Sequence, residues 1–397
     1  MLQFIKKQLL KNYLKKQSKK FNREKMNSVL IFFDFETFFV GGALRHTSQF
    51  RLLQQFFPNA EIHFTSSDSR VVELALNSPE LRSLELKQYK EVPYDEYDCV
   101  VFLSERETEI ANHIVSKYYK LFSRKIDTIM FSISSFSYAE DVKVFFPVLL
   151  ELVGMKFDQD IRLDCHKNKV HLSKEEIDWA NTYLAEKGVK KDDMLVIIND
   201  SSALDGKVIK EGEFINLIKL ILEKQDTKIL IYDVKNVGKR SHFKEYLNEE
   251  MLDRILFVAE TSLREDISLM AGNNVKAIIG PCTGMMHCAS GIYNVSKDKK
   301  APLILVYKGN FEDMGSAYGT NYWWGKNDLV DCVLKMKGVG ELIHLSDIED
   351  QDNIIDYEFL YEKDIHLNQK LDDTKLITAT DLMDKVTPSL LIEVEHY

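Results

Sequence analysis

The chain's 397 residues, 45% apolar and 29% charged with a formal net charge of −10, suit a globular protein of two or three domains and exclude a disordered or fibrous one. Its longest apolar runs, such as "VFFPVLLELVGM", are shorter than the roughly 18 residues that cross a bilayer, so no transmembrane helix is expected. Cys99, Cys165, Cys282, Cys288 and Cys332 are odd in number and lack paired spacing, which indicates neither a disulfide framework nor a structural zinc site and fits a reducing cytoplasm.

Residues 1–27 read as a basic amphipathic leader. Positions 1–26 carry nine Lys and Arg against Glu24, a charge of +8 that leaves −18 on the remainder. Leu2, Ile5, Leu9 and Tyr13 recur at helical spacing between the lysines, the pattern of an interfacial helix on anionic lipid; the alternative is a solvated leader that only aids solubility. Nucleic acid is not the expected partner, because the acidic body behind the leader repels phosphate.

From residue 28 strand and helix alternate. "SVLIFFDF" reads as an apolar strand, "ALRHTSQFRLLQQFF" as an amphipathic helix closed by Pro58, and "AEIHFTSS" as the next strand, which together make a βαβ unit. "DCVVFLS" and "DTIMFSIS" continue the series, and "VFFPVLLELVGM" is a helix candidate interrupted by Pro147. After the polar stretch "DQDIRLDCHKNKVHLS", Ser173 and Glu176 form a capping box for the helix "KEEIDWANTYLAEKG", which Gly188 ends. A second α/β series follows: strands at "MLVIIND", "TKILIYD", "RILFVAE", "VKAIIG" and "APLILVYK", with helices at "EGEFINLIKLILEK", "SHFKEYLNEE", "SLREDISLMAG" and "GMMHCASGIYN". The expected fold is therefore α/β, two Rossmann-like domains facing across a cleft, over 28–175 and 176–345, with an acidic extension over 346–397 that contains a packed-back helix.

Loops at the carboxyl ends of strands carry the candidate chemistry. "NDSSALDGKVIK" offers the Ser201 and Ser202 hydroxyls and the Lys207 ammonium. In "GPCTGMMHCASG", Thr283 is placed to cap a helix, Gly284 lets an anion approach the first free N–H groups, and His287 lies one turn on. A helix N-terminus opposite hydroxyls and a lysine suits a diphosphate, although no GxGxxG or GxxxxGK[ST] occurs. A lone His on an apolar helix is also a common core residue, and spacing alone leaves both readings open. Cys282, His287 and Cys288 are read as packing rather than as metal ligands or a thiol nucleophile with its base.

Read in order, these segments resemble the ADP-heptose:lipopolysaccharide heptosyltransferases, glycosyltransferase family 9, which have the GT-B fold. The resemblance rests on "GGALRHTSQFRLLQQFFPNAEIHF", "YDEYDCVVFLS" and "SLREDISLMAGNNVKAIIGPCTGMMHCASGIYN", above all on Thr283-Gly284-x-x-His287-x-Ala289-Ser290, and spans residues 28 to about 330. It implies that Thr283, Gly284 and His287 hold a nucleotide diphosphate, with Ser201, Ser202 and Lys207 as the hydroxyl pair and phosphate-binding lysine. It also implies inversion at the transferred sugar, with no metal and no cofactor beyond a nucleotide-sugar donor such as ADP-heptose. Two positions depart from the family. Cys282 stands where an Asp precedes Thr-Gly, and Gly41-Gly42 stands where the first loop has Gly-Asp, the general base; Asp34 and Glu36, at the end of the first strand, are the carboxylates that could replace it.

The function expected is transfer of a sugar to a lipopolysaccharide-type or lipid-linked glycan, in the cytoplasm and peripherally on the inner membrane face through residues 1–26. The alternatives are a degenerate GT-B domain that binds a nucleotide sugar or glycan without catalysis, and another GT-B enzyme such as a sugar-nucleotide epimerase.

Overall fold

In the computed structural model the chain divides into two compact units, Met1–Ile161 and Arg162–Tyr397. The structure describes residues 22–34, 39–48, 50–104, 106, 109–110, 113–114, 117, 128–132, 167–202, 204–234, 236–296, 301–310, 324, 327–348 and 366–391. Glu36, the helix candidate at 144–155 and most of the basic leader lie outside them. Among the described residues no helix is long and apolar enough to cross a membrane.

The first unit is built on a parallel sheet. Its elements are β1 (Ser28–Asp34), α1 (Val40–Thr47), α2 (Phe50–Phe56), β2 (Glu61–Ser66), α3 (Ser69–Ala75), β3 (Ser83–Leu86), β4 (Cys99–Ser104) and β5 (Ile129–Ser132). The strand order is β3-β2-β1-β4-β5, all parallel. Val29 to Phe33 are buried without alternation, as expected of a central parallel strand covered on both faces. Leu30, Phe32, Val100 and Phe102 meet Tyr94 on one side. The single helix expected over "ALRHTSQFRLLQQFF" is two: Thr47 and Ser48 turn their hydroxyls back onto the Leu44 carbonyl, at 3.1 and 2.7 Å, and the helix stops there.

In the second unit, α4 (Lys174–Glu186) is followed by β6 (Met194–Ile198), α5 (Glu211–Leu222), β7 (Thr227–Tyr232), α6 (Lys239–Phe243), α7 (Glu249–Leu252), β8 (Ile255–Val258), α8 (Leu263–Leu269), β9 (Val275–Pro281), α9 (Gly284–Val295), β10 (Leu303–Lys308), β11 (Val330–Lys335), β12 (Leu342–His344) and α10 (Ala379–Leu391). The sheet order is β12-β11-β10-β9-β6-β7-β8, with only β12 antiparallel. Val196, Ile198, Ile229, Ile231 and Ile279 form one cluster with α5 and α10, while the intervening Leu195, Ile197 and Ile278, equally buried, point to the opposite face. The capping box of Ser173 and Glu176 is present, and Gly188 takes the left-handed φ of 85° that ends α4.

Two boundaries differ from the sequence expectation. Residues 167–173, expected with the first domain, belong to the second unit: the Val170 amide donates to the Gly291 carbonyl at 3.1 Å, and Arg264 clamps Glu176 at 2.5 Å while also reaching the His171 carbonyl. The C-terminal extension, expected as a segment of its own from 346, is likewise part of the second unit over 366–391, and the packed-back helix expected within it is α10. Asn368 accepts from Lys308 at 3.0 Å, Asn310 bridges Asp373, and α10 contributes Leu382, Val386 and Leu390 to the core.

Candidate functional site

The order of the second sheet reverses at β6. β7 and β8 run out on one side of it, β9 and β10 on the other, so the loops after β6 and β9 part from each other at the carboxyl edge, the place where open α/β sheets take ligands. These are the two loops in which the sequence placed Ser201, Ser202 and Lys207, and Thr283, Gly284 and His287.

The structure brings the two loops together. Lys207 ends a single 3-10 turn, Asp205–Lys207, and its Nζ donates to the Cys282 carbonyl at 3.3 Å, across 75 positions of sequence. Asn199, the first residue beyond β6, donates from Nδ2 to Thr283 Oγ1 at 2.7 Å. That approach requires Gly280, where a Cβ would lie 2.8 Å from Asn199 Cβ and 2.9 Å from Met286 Sδ. Asp200 is fixed in turn by Lys239, whose Nζ stands 2.7 Å from both carboxylate oxygens and 2.7 Å from the Tyr232 carbonyl. On this base Ser201 is exposed and Ser202 half-buried, the Ser202 hydroxyl accepting from the Leu204 amide at 3.2 Å.

At the start of α9 one expectation needs correction. Thr283 occupies the N-cap position with extended backbone, but its side chain makes no capping hydrogen bond; Asn199 holds its hydroxyl instead. The positive end of a twelve-residue helix thus begins at half-buried Gly284, beside the Lys207 ammonium. His287, one turn on, is 4% exposed, with its Nδ1 2.9 Å from Asn168 Nδ2 and its ring stacked on Trp324. Cys282 is half-buried, and its Sγ accepts from the Trp324 indole N–H at 3.2 Å.

In the first unit the order reverses between β1 and β4, whose ends place Asp34 opposite Ser104. Asp34 is fully buried and committed. Its Oδ2 accepts from Arg106 Nε at 2.9 Å, and its Oδ1 accepts from Arg106 Nη2 and from the Ser67 hydroxyl. Gly41 and Gly42, expected in the first loop, lie instead in the first turn of α1, which the chain enters at Phe39 without a side-chain cap. Among the described residues a Cβ at Gly42 would meet Phe39 Cβ at 3.9 Å, an ordinary contact distance.

Asn168, Asn199 and Arg106 are site-region residues that reading the sequence missed. Asn199 and Arg106 share a signal: each is polar and lies within two positions of the carboxyl end of a buried parallel strand that flanks a reversal of strand order. Asn168 gives no such signal, standing in an irregular segment far from α9 in sequence.

Two sheets, parallel throughout but for β12, each with a reversal of strand order, define a two-unit, Rossmann-like fold of the GT-B class. Among solved structures the chain is similar to the glycosyl transferase family 9 protein of Veillonella parvula DSM 2008, at 13% identity and a TM-score of 0.57, covering 92% of this chain and 97% of that one. It is equally similar to the E. coli ADP-heptose LPS heptosyltransferase II, at 14% identity and a TM-score of 0.57, over 92% and 98% of the two chains. The fold is that of the family 9 glycosyltransferases. No protein-family model and no curated protein matches the sequence.

Proposed function

We propose that the protein is an inverting glycosyltransferase that moves a sugar from a nucleoside-diphosphate donor, with ADP-heptose as the donor class, onto a lipopolysaccharide-type or lipid-linked glycan at the cytoplasmic membrane face. One observation carries the reading: Lys207 reaches the backbone at the start of α9. A cation and the positive end of a helix then face the same small volume, where a diphosphate leaving group would gather charge as the bond from sugar carbon to phosphate oxygen breaks. Lys207 and the α9 amides take that charge in place of a divalent cation, Ser201 and Ser202 supply hydroxyl donors, and His287 supplies a ring N–H.

The first unit is proposed to take the acceptor, whose hydroxyl attacks the sugar carbon and gives its proton to a base. Asp34 is tied to Arg106, so the role falls to Glu36. The same observation favours a second reading, a nucleotide-sugar-binding protein on this fold without catalysis.

Calorimetric titration with ADP, UDP, GDP and CMP, without added metal, tests the site. One nucleoside diphosphate should bind, and its affinity should fall about tenfold or more in Lys207→Ala and in His287→Ala, the usual cost of losing a hydrogen bond to a charged group. Failure of all four to bind the intact protein would sink the donor-site reading. Turnover with a glycolipid acceptor in the wild type, absent in Lys207→Ala of intact fold, would exclude the non-catalytic alternative.

A further inference from the structure

A threonine at the N-cap of a helix ordinarily turns its hydroxyl oxygen onto an amide two or three residues on. Thr283 holds the N-cap of α9 with extended backbone, φ −137° and ψ 167°, yet makes no such bond. Its Oγ1 accepts instead from Asn199 Nδ2 at 2.7 Å. The helical ladder reaches back to Thr283 only through the His287 amide, which donates to the Thr283 carbonyl at 3.3 Å. The amides of Gly284, Met285 and Met286 stand ahead of that bond, and the Thr283 side chain covers none of them.

Asn199 is held in place from its backbone. It is 5% exposed, its own amide donates to the Ile279 carbonyl at 2.8 Å, and Asp200 beside it is clamped by Lys239. The Asn199 side chain is therefore a fixed arm to which half-buried Thr283 is drawn. Two consequences follow for the start of α9. A hydroxyl that accepts from Asn199 still has its own proton to give to another acceptor. A hydroxyl drawn toward β6 also does not compete with a bound anion for the first amides of the helix.

We infer that Asn199 is a positioning residue, which draws the Thr283 hydroxyl off the α9 amides so that an anion meets those amides and the hydroxyl proton together. The inference deepens the proposed function and rests on the start of α9 being a diphosphate site.

The test is a double-mutant cycle on the full chain, with inorganic pyrophosphate titrated calorimetrically into the wild type, Asn199→Ala, Thr283→Val and the double variant. Asn199→Ala should weaken pyrophosphate binding about tenfold, because the released hydroxyl turns onto the helix amides. In the Thr283→Val background, which has no hydroxyl to release, the same substitution should change the affinity by less than about twofold. A residue that only supported the fold would weaken binding in both backgrounds. Equal losses in the two backgrounds would therefore overturn the inference, and so would wild-type affinity in a folded Asn199→Ala. Asn199→Ser, whose shorter side chain does not reach Thr283, takes the place of Asn199→Ala if that variant does not fold. A readout without ligand separates the pair from the site. In 15N spectra the Asn199 side-chain NH2 signals, identified by their loss when Asn199 is replaced, should shift in Thr283→Val, and unmoved signals would overturn the inference. If they shift while the wild type binds neither pyrophosphate nor a nucleoside diphosphate, the diphosphate reading falls and the positioning role falls with it.

Discussion

Asp34 ends a strand with no solvent exposure and with both carboxylate oxygens engaged by Arg106 and Ser67. A carboxylate so held cannot take a proton from an acceptor hydroxyl without giving up its guanidinium partner. Arg106→Ala should therefore cost about 3 to 5 kcal/mol of stability, because it leaves a buried charge unpaired, and a double variant that adds Asp34→Asn should recover most of the loss. A denaturation series in which Arg106→Ala costs under about 1 kcal/mol would show that Asp34 is not held as a buried anion. Asp266 presents the opposite case. Burial pushes its carboxyl up to about 6, against which the Thr261 hydroxyl donates to Oδ1 at 2.6 Å. A raised carboxyl binds its proton more tightly in the folded state, so the associated stability is complete below pH 4 and is lost as pH rises through 6. Asp266→Asn, which keeps an acceptor for Thr261, should match the wild type near pH 4 and exceed it by on the order of 2 to 3 kcal/mol above pH 7. Parallel melting curves at the two ends of that range would show the gap open, or its absence would place the carboxyl in water.

The start of α9 is where the second unit's two candidate loops meet, and the glycines around the helix serve close approach. Gly280 admits Asn199, and Gly291 admits residues 169 and 170. Gly280→Ala should cost about 1 to 3 kcal/mol by overpacking against Asn199 and Met286, and should weaken nucleotide binding by displacing the Asn199–Thr283 pair. A stable Gly280→Ala with unchanged binding would detach the glycine from the site. Sequence pattern made the elements of both sheets largely legible, because central parallel strands such as Val29 to Phe33 are unbroken apolar runs and Ser173 with Glu176 marks a helix start. It was weaker where local side chains break a periodic run. Thr47 and Ser48 stop α1, and Asn248 opens α7 by accepting from the Met251 amide at 2.8 Å, which splits the helix expected over "SHFKEYLNEE". β3 and β11 escaped notice because they are short or carry a charge, as in "SLEL" and "VDCVLK". Ser201, Lys207, Thr283 and His287 were singled out by loop chemistry and family resemblance, and what the structure adds is that their two loops lie together, through Lys207 on the Cys282 carbonyl and Asn199 on Thr283. The pairs Asn168–His287 and Asn199–Thr283 were not legible, since they join residues 119 and 84 positions apart, and no periodicity encodes a contact made only when the sheet forms.

At the scale of the whole chain, charge is divided more sharply than structure. The basic leader was expected to run to residue 27, yet its last part belongs to the first unit: Met26 is buried, and Asn59 Nδ2 donates to the Glu24 carbonyl at 2.9 Å. Residues 1–21 retain seven lysines and no acidic residue, set against a strongly acidic remainder. Near an anionic lipid surface each lysine contributes about 1 kcal/mol, so in the membrane association proposed above a set of seven would suffice for reversible attachment without a spanning helix, and the acidic remainder would be repelled from the surface. Removing residues 1–21, and not 1–26, is therefore the deletion that tests the anchor while leaving β1 seated. The intact chain should sediment with phosphatidylglycerol vesicles but not with phosphatidylcholine vesicles, and should be released at about 0.5 M salt, where screening reaches only a few ångströms. The truncated chain should stay in the supernatant with its melting temperature and nucleotide binding unchanged. Sedimentation of the truncated chain to the same extent would remove the membrane from the proposed function and leave the leader as a solubilising segment.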